Sequence, residues 1–180
     1  QNAFALRAAG AKACQDALAG NASFDTPEFV ESAARLKELV ELRAFNDGAM
    51  GLSYDEGNAV FLQGKVPMYY MGNWFAANIT GEDSLVADKV VCLKFPMLPN
   101  GKGTSTEYLG GAIDGFCVNK DSKVKDAAVR VAKYFAEEMA KDLASTGDGL
   151  PTWNVPATAS QINPVTQQIM ELSKDADGFV

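Results

Sequence analysis

Two tryptophans and the residues beside them are the groups in this sequence best suited to chemistry. Trp74 follows Asn73 at the end of the apolar run 66–71, and Trp153 precedes Asn154 after the break Gly149-Leu150-Pro151. Tyr108, Gly110, Gly111 and Asp114 lie before or at the start of another apolar run. An indole supplies a flat apolar face, and an amide or carboxylate exchanges hydrogen bonds with hydroxyls; a neutral sugar ring needs both. In open α/β sheets ligands collect at the carboxyl ends of strands, which is where the run 66–71 would deliver Trp74. A tryptophan at a strand end also serves core packing. Glycines at 110 and 111 suit a close backbone approach to a ligand or a plain bulge.

Catalysis has little to draw on. The sequence contains no histidine, which removes the commonest general base and the commonest zinc ligand together. No glycine-rich phosphate loop occurs, because the glycines of 110–115 fall before and inside a predicted strand rather than after one. No serine sits in a nucleophile-elbow pattern. Asp55 and Glu56 are adjacent and so point in different directions on a helix. The expectation is a protein that is not an enzyme and uses no metal and no cofactor.

Sixteen basic against twenty-three acidic side chains leave a net charge of −7, which repels phosphates and anionic lipid heads and argues against a nucleic-acid or membrane-surface role unless a local basic patch exists. The basic cluster Lys120, Lys123, Lys125 and Arg130 is interleaved with Asp121 and Asp126 and reads as a solvated helix face. No run approaches the ~18 apolar residues that span a bilayer. Cys14, Cys92 and Cys117 form no close pair, and Cys92 and Cys117, set in apolar runs, read as small buried hydrophobes.

The elements that must position the tryptophans follow from periodicity. Thr26-Pro27 predicts a helix start, with Phe29, Ala33, Leu36 and Val40 on its inner face. Ser53 and Glu56 have capping-box spacing and predict a helix over 54–63, stopped by Gly64. Runs 66–71, 89–95 and 113–118 read as buried strands, and Trp74 begins a further helix. Val124, Ala128, Val131, Phe135 and Met139 recur at helical spacing in the longest helix, ended by Gly147-Asp148-Gly149. Asn163-Pro164 opens a last helix with Val165, Ile169 and Leu172 on one face. Helices alternating with short buried strands define an α/β class.

The order of these pieces resembles the extracellular solute-binding proteins of ABC importers, a family that includes maltose-binding protein. Phe61-Leu62-Gln63-Gly64-Lys65-Val66-Pro67-Met68 with Gly72-Asn73-Trp74 is the most specific part of the likeness. Gly110-Gly111-Ala112-Ile113-Asp114-Gly115-Phe116 is similar to the family's glycine-rich strand, the helix with Ala127-Ala128 and Tyr134-Phe135 follows it, and Gly149-Leu150-Pro151 is similar to the return segment. The likeness covers the chain from about residue 24 onward.

It implies a periplasmic-binding-protein-like α/β fold, mainly the C-terminal lobe of a longer two-lobed clamp. Residues 1–110 would belong mainly to that lobe, 111–150 would hold a hinge-crossing strand and helix, and 151–180 would return. It further implies a substrate-binding component that captures a sugar or oligosaccharide and delivers it to a membrane permease. Its place would be extracellular or periplasmic, or on the outer face as a lipoprotein. Trp74 matches the family's sugar-stacking aromatic, with Asn73 as polar neighbour. Asp114, where the family has a small polar residue, is a hydroxyl acceptor or structural, and Gly110, Gly111 and Trp153 complete the expected ligand set. Without the N-terminal lobe, residues 113–139 lose sheet neighbours and would pack on the remaining lobe, pair with another copy or be poorly ordered. A sensor or scaffold lobe acting through a protein partner, or a binder of a non-sugar solute, are the alternatives.

Overall fold

The computed structural model describes residues 1–110, 115–147, 149, 151, 153–156 and 162–180. Chain contacts divide the molecule into two compact units. The first comprises Gln1–Gly57, Leu93–Ala112 and Leu172–Val180; the second comprises Asn58–Cys92 and Ile113–Glu171.

The first unit is built on α1 (Asn2–Ala9), α2 (Ala11–Leu18) and α3 (Pro27–Glu41). Gly10, at φ 84°, ends α1 and opens α2, a backbone angle that glycine adopts without steric cost. The carbonyls at the end of α1 are satisfied from the loop 101–104, where Lys102 N–H donates to Ala8 at 3.1 Å and Gly103 N–H to Arg7 at 3.1 Å. Arg7 is only 2% exposed. Its guanidinium donates to the carbonyls of Phe95 at 3.2 Å, Thr104 at 2.8 Å and Glu107 at 2.9 Å. The Glu107 carboxylate accepts from the N–H groups of Ala11 and Thr104, placing a negative charge at the start of α2, where the helix dipole favours it. Next to this cluster, β1 (Glu107–Tyr108) pairs in parallel with β2 (Gly178–Phe179), Glu107 opposite Gly178 and Tyr108 opposite Phe179.

Thr26 precedes α3 and Pro27 begins it, as the sequence predicts. The inner face differs. Ser32 is buried and Phe29 and Leu36 are half-buried, whereas Ala33 and Val40 are exposed. The capping box is present: Glu56 accepts from Ser53 N and Oγ, both at 2.8 Å, and Glu56 N–H donates back to Ser53 Oγ at 3.3 Å. It starts α4 (Tyr54–Leu62), and Gly64 at φ 69° lies in the turn that follows it.

The core of the second unit is Phe75, Ala76, Ile79 and Val165, lined by Phe61, Tyr69, Met71, Val90, Cys92 and Ile169. It gathers α5 (Ala76–Ile79) and α7 (Pro164–Leu172) against residues 66–71 and 89–92. Asn163 caps α7, its Oδ1 accepting from Val165 N–H at 2.9 Å, and Pro164 occupies the first turn, where a missing N–H costs nothing.

The runs 66–71 and 89–95 are corrections to the predicted strands. Their side chains alternate in burial: Tyr69 and Met71 turn inward, Met68 and Tyr70 outward; Val90 and Cys92 inward, Val91 and Leu93 outward. No ladder forms along them among the described residues, and a strand requires a hydrogen-bonded second backbone beside it. In the predicted strand 113–118, residues 113 and 114 lie outside the described residues, and 115–118 carry no ladder.

α6 (Lys125–Thr146) ends at Gly147, φ 73°, in a left-handed cap. Its inner face is another correction. The chain turns inward Ala128, Ala132, Ala136, Ala140 and Ala144, every fourth residue, and leaves Val124, Val131, Phe135 and Met139 exposed. Ala132 and Ala136 of this face line the groove that also holds Phe116 and Trp153, and only Ala140 and Ala144 are fully buried. Cys117 is exposed rather than buried, Cys14 is buried, and all three cysteines are free.

Candidate functional site

Trp74 owes its position to the aromatic residues around it. Phe61 stacks on Tyr69 at 5.3 Å, Tyr69 meets Phe75 edge-on at 5.6 Å, and Tyr69 Oη donates to Asn58 Oδ1 at 2.8 Å. These contacts fix the run 66–71 and the 3-10 turn Asn73–Phe75 that continues it. Phe75 drops into the core at 2% exposed, while Trp74, one residue earlier, is 64% exposed. Trp74 is therefore a surface residue, and the core-packing role belongs to Phe75. Asn73 is exposed beside it.

The indole lies across Gly72. A Cβ built on Gly72 would stand 2.2 Å from Cζ3 and 2.3 Å from Cη2 of the ring. The benzo ring thus lies over bare backbone, and the residue as a whole is 64% exposed. Tyr70 and Met68 are exposed on the outward row of the preceding run. The alternation of apolar residues along the run is the sequence signal for both.

Trp153 is 44% exposed and lines an open groove of about 350 Å³ with Phe116, Val118, Val129 and Lys133. Phe116 faces Phe135 with ring centroids 5.9 Å apart. Lys133 is the one charged group in this lining. Gly110 belongs to the first unit and is used structurally: its N–H donates to the Val180 carbonyl at 3.0 Å, extending the β1–β2 pairing. Gly111 and Asp114 lie outside the described residues. The structure brings Trp74 and Asn73 together on one turn.

Among the described residues no cluster of three or more cysteine, aspartate or glutamate side chains is placed to hold a metal. No helix among them is long and apolar enough to cross a membrane. Burial pushes the Cys14 thiol upward, with the Glu107 charge adding to it, and burial pushes up that of Cys92.

Helices laid against extended runs in this order form a periplasmic-binding-protein-like α/β fold. The chain superposes with a TM-score of 0.89 on a structure solved in work on xylan utilization by the thermophilic bacterium Caldanaerobius polysaccharolyticus. The two are 40% identical over 99% of this chain and 46% of that one. It superposes with a TM-score of 0.80 on a chitin oligosaccharide binding protein, 22% identical over 99% of this chain and 44% of that one, a likeness of fold alone. Residues 3–142 match the bacterial extracellular solute-binding proteins, and the chain belongs to that family. It spans less than half the length of either solved relative. No curated protein matches the sequence.

Proposed function

We propose that this chain is the ligand-holding part of the substrate-binding component of an ABC importer. It captures a sugar or oligosaccharide reversibly, without turning it over, and delivers it to a membrane permease. Family membership and the 40%-identical structure from work on xylan utilization support this reading. We place it outside the membrane, in a periplasm or as a lipoprotein on the outer face. We assign the chain mainly to the C-terminal lobe of the longer protein.

The observation that carries the reading is Trp74, a large aromatic held 64% exposed beside the Asn73 amide. Exposing an indole forfeits its hydrophobic stabilisation, and a sugar's C–H face recovers it at ~25 cal/mol per Å² of apolar contact, or about 1–2 kcal/mol over several tens of Å². Calorimetry of the chain against xylo- and chito-oligosaccharides tests it. Trp74→Ala should weaken binding about ten-fold with an unchanged urea midpoint; equal affinity in both proteins would remove the assignment. The exposed Val131, Phe135 and Met139 of α6 favour a second reading, a scaffold lobe acting through a protein partner. Absence of saccharide binding by the parent protein would turn the assignment to that one.

A further inference from the structure

The geometry points to Gly72 as the positioning residue of the saccharide platform, the seat that holds the Trp74 indole flat for stacking. The inference rests on the carbohydrate reading of Trp74, and its experiment separates the two.

Gly72 is not glycine for backbone reasons. Its angles, φ −83° and ψ 166°, are extended and open to any residue. What excludes a side chain is the ring itself: a Cβ would lie 2.2, 2.3 and 2.6 Å from Cζ3, Cη2 and Cε3 of Trp74, and these are its nearest neighbours. Real carbon contacts are about 3.5–4.0 Å, so ring and methyl cannot share the space. The run 66–71 is anchored through Tyr69 and the turn through buried Phe75. The backbone is therefore the fixed partner and the exposed indole the movable one. A methyl at 72 drives the ring off its seat and leaves the fold in place.

This contrasts with Gly101 and Gly103, whose added Cβ atoms would meet the Arg7 and Leu6 carbonyls at 2.3 and 2.1 Å. Backbone cannot swing aside as a side chain does. Of these three positions, Gly72 alone is closed by a side chain of the candidate site.

The platform is consequently one-sided. The benzo ring of Trp74 is covered by Gly72 on that side, so a pyranose ring would stack on the opposite face of the indole. Asn73, exposed and one residue before the indole in the same turn, offers an amide for hydroxyls of that ring.

The test is Gly72→Ala read by indole fluorescence without ligand, in a Trp153→Phe background so that Trp74 is the one reporter. A seated ring that is displaced shifts its emission to the red and is quenched more readily by acrylamide, while the urea midpoint stays that of the parent. Unchanged emission and quenching overturn the seat. A urea midpoint lowered equally by Gly72→Ala with Trp74 present and with Trp74→Ala also overturns it, since the methyl would then be meeting something other than the ring. Affinity is measured separately with Trp153 retained, using the xylo- and chito-oligosaccharide panel. Displacement with about ten-fold weaker binding supports both the seat and the carbohydrate reading. Displacement with undiminished affinity supports the seat and overturns the carbohydrate reading of Trp74.

Discussion

The side-chain amide of Gln168 stands against Cys92 as the peptide group of a neighbouring strand would. Its Oε1 accepts the Cys92 N–H at 2.8 Å and its Nε2 donates to the Val90 carbonyl at 3.3 Å. One helix side chain thus satisfies the inward half of an extended run that lacks a ladder. Gln168→Ala would orphan a partly buried donor and acceptor, at a cost of about 1–3 kcal/mol. A urea melt should show that loss, and exchange of the Cys92 amide with deuterium should accelerate with it. An unchanged melt would mean that water already serves these groups.

Adjacent aromatics should behave oppositely. Phe75→Ala empties the centre of the second unit's core and should cost about 3–5 kcal/mol. Trp74→Ala removes a surface ring and should stay within about 0.5 kcal/mol of the parent. The two urea midpoints, measured without ligand, decide between a surface and a core assignment for position 74.

Gly103→Ala forces a methyl toward the Leu6 carbonyl and pries the loop 101–104 from the end of α1. The bonds from Lys102 and Gly103 N–H to Ala8 and Arg7 would be strained or lost, for about 1–3 kcal/mol. Thermal unfolding should move down accordingly, and Gly20→Ala offers a contrast, since no atom lies within 4 Å of its added Cβ and only its positive φ opposes the change.

Acid should expose the tie between Glu28 at the start of α3 and Lys102. The hydrogen bond from Lys102 holds the Glu28 carboxyl down to about 2, against an ordinary 4.5. A carboxylate depressed on folding stabilises above its ordinary value, and that contribution falls away as pH drops through the folded one. The stability difference between parent and Glu28→Gln should therefore be constant above pH 4.5 and shrink to nothing by about pH 2. Urea midpoints across that range check the sign, and added salt should flatten the difference because the pair is solvent-facing.

Helix starts were legible because caps are local: Ser53 with Glu56, Thr26 with Pro27, and Asn163 with Pro164 each act within one turn. The inner faces of α3 and α6 were not. Periodicity weights large apolar side chains, whereas α6 packs along Ala128 to Ala144 and turns Phe135 out; which residue faces a neighbour depends on how near that neighbour comes. Strand pairing was illegible for a related reason. Alternation along 66–71 and 89–95 records which side chains go inward, and a ladder depends on chain from elsewhere. Trp74 and Asn73 could be found by type and position, but the Gly72 seat is a contact between a ring and an absent atom, which no residue pattern announces.

Arg7 binds carbonyls at residues 95, 104 and 107, and Glu107 is paired with Gly178. The first unit is stitched from three stretches, with the whole of the second unit's chain lying between them in sequence. As the polypeptide leaves the ribosome, α1 must wait for nearly ninety further residues before its guanidinium finds a carbonyl, and β1 waits for residues 178 and 179. Closing loops of that length is slow. The first unit's start thus remains unfinished until nearly the last of these residues has been made, a long interval in which a nascent chain stays pliable and open to chaperones.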